Sequence, residues 1–153
     1  MIEREYVITL EPRGKGRPVF TRATGSARTP ETTRAWEHEA AHQLRERHAV
    51  WRTPEALDTR APMWEVEVRA YHRRPKTRPA HYSKAAWADT LSRLHATSRH
   101  DLDNVVKITL DAMQIGGVIS NDRCIVSIIA GSYYVMPGED ARVEVTMREV
   151  TRD

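Results

Sequence analysis

The sequence predicts a mixed α/β fold: one small domain, residues 1–153, with a mixed sheet of about four strands packed against two main helices. Three observations carry that expectation. Two segments repeat apolar residues at helical spacing, and several others are β-rich or alternate by twos. The length, 153 residues, is enough for one real core and too short for two ordinary ones. The breaks between segments are dense in Pro and Gly, and neither an internal repeat nor a low-complexity tract is present.

Residues 6–10, Tyr-Val-Ile-Thr-Leu, open the fold as a strand. Residues 11–30 read as a loop, because Pro12, Gly14, Gly16, Pro18 and Gly25 all interrupt regular structure. From Glu31 to about Val50 the pattern is helical, with Trp36, Ala40, Ala41 and Leu44 on one face, and Thr29 or Pro30 as its start. Residues 51–62 form a connector. Residues 63–71 alternate as a strand with one exposed face. Residues 73–82 are a basic loop broken by Pro75 and Pro79, and Ser83 caps a short helix running through Trp87, Leu91 and Leu94. A second main helix spans residues 104–113 and ends at Gly116-Gly117. Two strands, residues 124–134 and 142–149, close the chain, with Pro137-Gly138 turning between them.

Apolar residues at 40% and charged residues at 29% fit a soluble globular protein. No apolar run approaches the roughly 18 residues of a transmembrane helix, so no membrane partner is expected. The start, Met1-Ile2-Glu3-Arg4-Glu5, is too acidic for a signal peptide. The single cysteine, Cys124, excludes an internal disulfide, fits a reducing cytoplasmic setting, and reads as a small buried side chain on a strand. The net charge is only +3, with a pI near 9.2. Its distribution says more than its sum: Lys15, Arg17 and Arg22 crowd one loop, and Arg73, Arg74 and Lys76 another. Loop cations of this kind reach phosphates, so nucleic acid is the expected partner and a solvated basic surface the competing reading.

The chemistry concentrates in His100-Asp101-Leu102-Asp103-Asn104-Val105-Val106-Lys107, followed after one short helix by Asp122. Three acids and a lysine on a basic protein suggest a divalent cation held against a phosphate, the chemistry of a nuclease. Two helical residues at i and i+2 point roughly 200° apart, whereas in an extended segment they share a side. The pair Asp101 and Asp103 therefore serves one metal if the chain arrives extended and the helix begins at Asp103 or Asn104, with Asp103 as N-cap. Lys107 then lies one turn along on the same face. Magnesium prefers oxygen donors and keeps several waters, which suits two or three carboxylates with phosphate oxygens. The bland alternatives are a solvated helix cap, a Lys107–Asp111 ion pair, and Asp122 as a turn residue.

These residues resemble the RusA family of Holliday-junction resolvases, found in bacteria and their phages and prophages. Gly14-Lys15-Gly16-Arg17-Pro18 is similar to the family's Lys-x-Arg-Pro segment, and Thr29-Pro30 to its Thr-Pro lead into the first helix. Asp101-Leu102-Asp103-Asn104-Val105-Val106-Lys107 is similar to its Asp-x-Asp-Asn-x-x-Lys helix, and Asn121-Asp122-Arg123-Cys124-Ile125 to its Asp-Asp-x-x-Val segment. The resemblance implies a homodimer that nicks four-way DNA junctions in pairs with magnesium, manganese substituting, in recombination or repair. It assigns Asp101, Asp103 and Asp122 to the metal and Lys107 to catalysis. The sequence departs from the pattern at Asn121, where an acid is usual, at His100, where proline is frequent, and at residues 130–133, which carry no basic side chain.

The expected reaction is metal-assisted hydrolysis leaving a 5′-phosphate and a 3′-hydroxyl, Lys107 stabilising charge on the phosphate or leaving oxygen. Lys15, Arg17, Arg22, Arg73, Arg74, Lys76 and His100 are the expected DNA contacts. Trp36 and Trp64 fit core faces rather than base-stacking platforms. A less selective nuclease on flaps or forks, and a non-catalytic basic DNA-binding module, are the competing functions.

Overall fold

The computed structural model describes residues 2–51, 62–89, 92–97 and 100–151. A sheet of four strands forms the platform: β1 (Glu3–Ile8), β4 (Met63–His72), β5 (Ile125–Tyr134) and β6 (Arg142–Val150), in the order β1-β6-β4-β5. β6 runs antiparallel to both β1 and β4, whereas β4 and β5 are parallel. A parallel pair requires a crossover, and here it contains α2 (Lys84–Ala88) and α3 (Leu102–Ile115). The long helix α1 (Glu31–His48) packs against α3 and β1. This is the predicted mixed α/β domain.

One face of the sheet is apolar because alternate residues of each strand point the same way. Tyr6 and Ile8 of β1, Trp64, Val66 and Val68 of β4, and Val143, Val145 and Met147 of β6 are buried together. They meet Trp36, Ala40 and Leu44 of α1 and Val106, Ile108, Ala112 and Met113 of α3. The two tryptophans expected in the core are there. The opposite face is closed by charge: Arg148 bonds Glu3 and Glu67, each at 2.9 Å, and Arg69 bonds Glu67 at 2.6 Å. Glu67 is consequently buried on a face expected to be open. Its guanidinium partners outweigh the burial and hold its carboxyl below the usual value.

Four expectations are revised. The 11–30 loop contains an antiparallel ribbon, β2 (Val19–Thr21) with β3 (Ser26–Arg28), because Gly25 at φ 64° closes a tight turn between two three-residue strands. The helix capped by Ser83, whose Oγ accepts from Ala86 N at 3.1 Å, stops at Ala88. Leu94 is spent differently: its carbonyl accepts from Tyr134 N at 2.8 Å, and His95 pairs with Tyr133 at the edge of β5. Leu91 and most of the expected 51–62 connector lie outside the described residues. The helix expected at residues 104–113 begins two residues earlier and ends two later, at Ile115. Cys124 lies half-buried in a 3-10 turn, residues Asp122–Cys124, rather than on the strand itself.

Candidate active site

α3 begins at Leu102 because Asp101, at φ −62° and ψ 139°, is still extended while its carbonyl accepts the first helical bond, from Val105 N at 3.1 Å. The break from extended to helical chain thus falls at Asp101, two residues before the position expected for the cap. Asp101 occupies the N-cap position without a side-chain capping bond, and Asp103 lies in the first turn. Both are exposed, and neither carboxylate has an ion pair or hydrogen bond among the described residues. The helix N-terminus adds positive partial charge beside them. Lys107, one turn on, is exposed and unpaired among the described residues. The expected alternative, Lys107 with Asp111, does not form: Asp111 takes Lys15 instead.

The glycine-rich loop meets this helix end. Lys15 N donates to Asn104 O at 3.2 Å. A Cβ on Gly14 would lie 3.2 Å from His100 and 3.3 Å from Asn104, so only glycine allows so close an approach without displacement. Two segments far apart in the chain, Gly14-Lys15-Gly16-Arg17 and His100-Asp101-Leu102-Asp103-Asn104, form one surface. Arg17 at this surface and Arg22 in the turn between β2 and β3 are exposed and unpaired among the described residues.

Beside this surface is a cleft of about 330 Å³ lined by Glu11, His72, Arg73, Arg74, His100 and Tyr134. Burial, with His100 nearby, lowers the pKa of His72 to about 4, so its ring is neutral at neutral pH. Arg73 is tied to Glu11, its N–H bonding Oε1 at 3.1 Å. Arg74 stacks on Trp87 at 4.6 Å and donates to Trp87 O at 2.7 Å. Lys76 is exposed. The basic loops therefore present Arg17, Arg22 and Lys76 outward, whereas Arg73 and Arg74 are partly engaged by the protein.

Asp122 stands elsewhere. It precedes β5, whose first residue, Ile125, pairs with Trp64 at the start of β4. Asp101 follows His100, which shares the cleft with His72 and Tyr134 at the ends of β4 and β5. The two acidic segments are thus separated by a strand of 10 residues, roughly 30 Å at about 3.3 Å per residue. No group of three or more His, Cys, Asp or Glu able to hold a metal occurs among the described residues. Asp101 and Asp103 are hard oxygen donors of the kind magnesium favours, but the described residues of one chain do not bring a third carboxylate to them. Asn121, where an acid is usual, caps the turn that carries Asp122: its Oδ1 accepts from Arg123 N at 2.8 Å.

Sequence spacing did not reveal two acid–base features. His72 ends a buried strand, and its Nε2 is buried without a partner among the described residues. Glu37 is buried on α1 and faces Lys15. A signal for the second was available, since Glu37 falls on the stripe of Ala40, Ala41 and Leu44.

A small α/β domain thus lays a basic glycine-rich loop against an acidic helix N-terminus, an arrangement compatible with a cation held beside a phosphate. The comparison with known families agrees: the family described as Endodeoxyribonuclease RusA matches residues 9–148. The chain belongs to that family, and so to a family of endodeoxyribonucleases. No curated protein matches the sequence. Among the described residues no helix is long and apolar enough to cross a membrane.

Proposed function

We propose that this chain is a magnesium-dependent, structure-selective endodeoxyribonuclease that acts as a homodimer and resolves four-way DNA junctions by paired nicks. The observation that carries the reading is the pair of exposed carboxylates, Asp101 and Asp103, without partners among the described residues, at the N-terminus of α3 beside the loop bearing Arg17. Unpaired acids on a surface meant for phosphate are unfavourable unless a cation comes between them. Bound magnesium, or manganese in its place, would supply that charge and a water of lowered pKa. Asp101 and Asp103 would hold the cation, and Lys107 would face the phosphate oxygens, where its ammonium offsets the charge that builds up as the bond breaks. Arg17, Arg22 and Lys76 hold flanking backbone phosphates, and His100 borders the strand beside the cut.

The third acid comes from the second copy. β5 is one of the two edge strands, paired with His95 only at its end, and its Val126, Ile128 and Ile129 are about half exposed, at 52%, 48% and 48%. A two-fold axis crossing the middle of this strand brings the start of one β5 to the end of the other. The partner's contribution, Asp122, then reaches Asp101 and Asp103 at the start of α3. Such a dimer also matches the two-fold symmetry of a four-way junction.

Two experiments test the reading. A labelled junction and a linear duplex are incubated with magnesium or with chelator. Paired nicking of the junction alone is expected; cutting of both substrates favours a flap or fork nuclease, and binding without cutting favours a non-catalytic module. For the shared site, an Asp101→Asn/Asp103→Asn chain is mixed with an Asp122→Asn chain. A cross-chain site restores one competent centre per mixed dimer and single-strand nicking. A site contained within one chain restores none.

A further inference from the structure

Lys15 belongs to the cationic loop, yet its ammonium points inward. Nζ forms an ion pair with Asp111 Oδ2 of α3 and lies 4.0 Å from Glu37 Oε1 of α1. The side chains of Lys15 and Glu37 are only 26% and 10% exposed. The same residue's backbone N–H holds Asn104 O in the first turn of α3. Its neighbours are equally constrained: Gly16 N donates to Thr33 Oγ1 at 3.1 Å, and a Cβ on Gly16 would lie 2.7 Å from that oxygen.

We propose that Lys15 is a positioning residue for the α3 acids rather than a DNA contact: it clamps the glycine loop to α1 at Glu37 and to α3 at Asn104 and Asp111. The inference rests on the reading of the α3 N-terminus as the reacting site. Its physical basis is a charge count. One ammonium faces two carboxylates, and Arg34 and His38 also act on Glu37, so the charge of Lys15 is taken up within the protein rather than offered to a phosphate. To touch DNA, Lys15 would have to abandon both acids inside a partly desolvated site. Without its charge, Glu37 and Asp111 repel across the α1–α3 seam, and Glu37 Oε1 already lacks a hydrogen-bond partner among the described residues. The loop then loses its hold on Asn104, and Asp101 and Asp103 shift relative to Arg17.

The test compares Lys15→Met, Lys15→Arg and Asp111→Asn in the full chain. Four quantities are measured: turnover at saturating junction, magnesium for half-maximal rate, salt dependence of DNA binding in chelator, and Tm. A positioning role predicts that Lys15→Met lowers turnover roughly tenfold to a hundredfold, the scale of a small misplacement. It also predicts a raised magnesium requirement, an unchanged salt slope, and retention of most activity in Lys15→Arg. A loss of about 0.9 from the slope with turnover intact makes Lys15 a phosphate contact and overturns the proposal. A lowered Tm with turnover and magnesium dependence unchanged makes it structural only, and also overturns it. If Lys15→Met does not fold, Asp111→Asn decides: positioning predicts the same turnover defect, whereas a DNA-contacting lysine, freed of its acid, binds DNA more tightly with normal turnover. A wild-type protein that cuts no DNA defeats the nuclease reading separately. The salt slope, with non-additive Tm effects of the Lys15 and Asp111 substitutions, still tests the clamp.

Discussion

The acids around α3 fall into two sets of opposite character. Asp101 and Asp103 stand at the helix start, exposed and without partners among the described residues. Asp111 and Glu37 sit two turns further along and on the neighbouring helix, turned toward one lysine. Carboxylates that complete a framework are paired, because an unpaired charge loses more on desolvation than it gains from packing. Carboxylates kept for chemistry stay open, because their partner is a ligand. Burial and pairing, not residue type, separate the two sets.

The contrast breaks most visibly at Asp103. Asp103→Asn is expected to lower junction cleavage roughly a hundredfold or more, the scale on which single charge-stabilising groups act. Its Tm stays close to wild type, since exposed substitutions change stability by about 0.5 kcal/mol or less. Initial rates with labelled junction, alongside thermal melts, check both halves; normal cleavage would remove Asp103 from the site. At the framework end, Gly16→Ala puts a methyl against Thr33 and Pro30 and is expected to cost about 1–3 kcal/mol by overpacking, measured by denaturant unfolding.

A pH experiment sharpens the difference further. Burial holds the Glu37 carboxyl above its ordinary value of 4.5, even against the Lys15 ammonium. The folded state therefore keeps this proton more tightly than the unfolded state. That contribution to stability is fully present below the unfolded value and is lost as pH rises through the folded one. Glu37→Gln escapes the loss, so its Tm relative to wild type should rise from about pH 4 to about pH 8. Melts in both buffers check it, and a pH-independent difference would mean that Lys15 fully compensates the burial. Glu139 has the opposite sign. The Arg93 guanidinium lowers its pKa to about 2, so its stabilisation is present at neutral pH and is lost as pH falls below the ordinary value of 4.5.

The smallest effect separates the cations. Arg17 is exposed and unpaired among the described residues, so Arg17→Ala should remove about 0.9 from the salt slope of duplex binding and leave Tm unchanged. Lys15, in the same loop, should leave the slope untouched.

Periodicity made the architecture legible. Alternation in residues 63–71 and helical spacing from residue 31 to about residue 50 leave little choice about which faces are buried, and the core residues Trp36, Leu44, Trp64 and Val66 follow from it. The β2–β3 ribbon was obscured because its triplets are too short for alternation to register. The early stop of α2 was obscured because Leu94 leaves the helix to bond the edge of β5. At the site, the Asp-x-Asp-Asn-x-x-Lys spacing pointed to the helix end itself. Nothing in linear spacing told Lys15 from Arg17, or Asp111 from Asp103.

The sequence by itself determined the α/β class, the main elements, the acidic helix start and the family, because these rest on local spacing and on motifs that are contiguous along the chain. Only the tertiary structure decided which charges remain available. It folded Lys15 inward onto Asp111 and Glu37, left Asp101 and Asp103 open, and set Asp122 at the far end of β5. The physical reason is that charge pairing and desolvation depend on distance through space, and the crossover from β4 to β5 sets that distance.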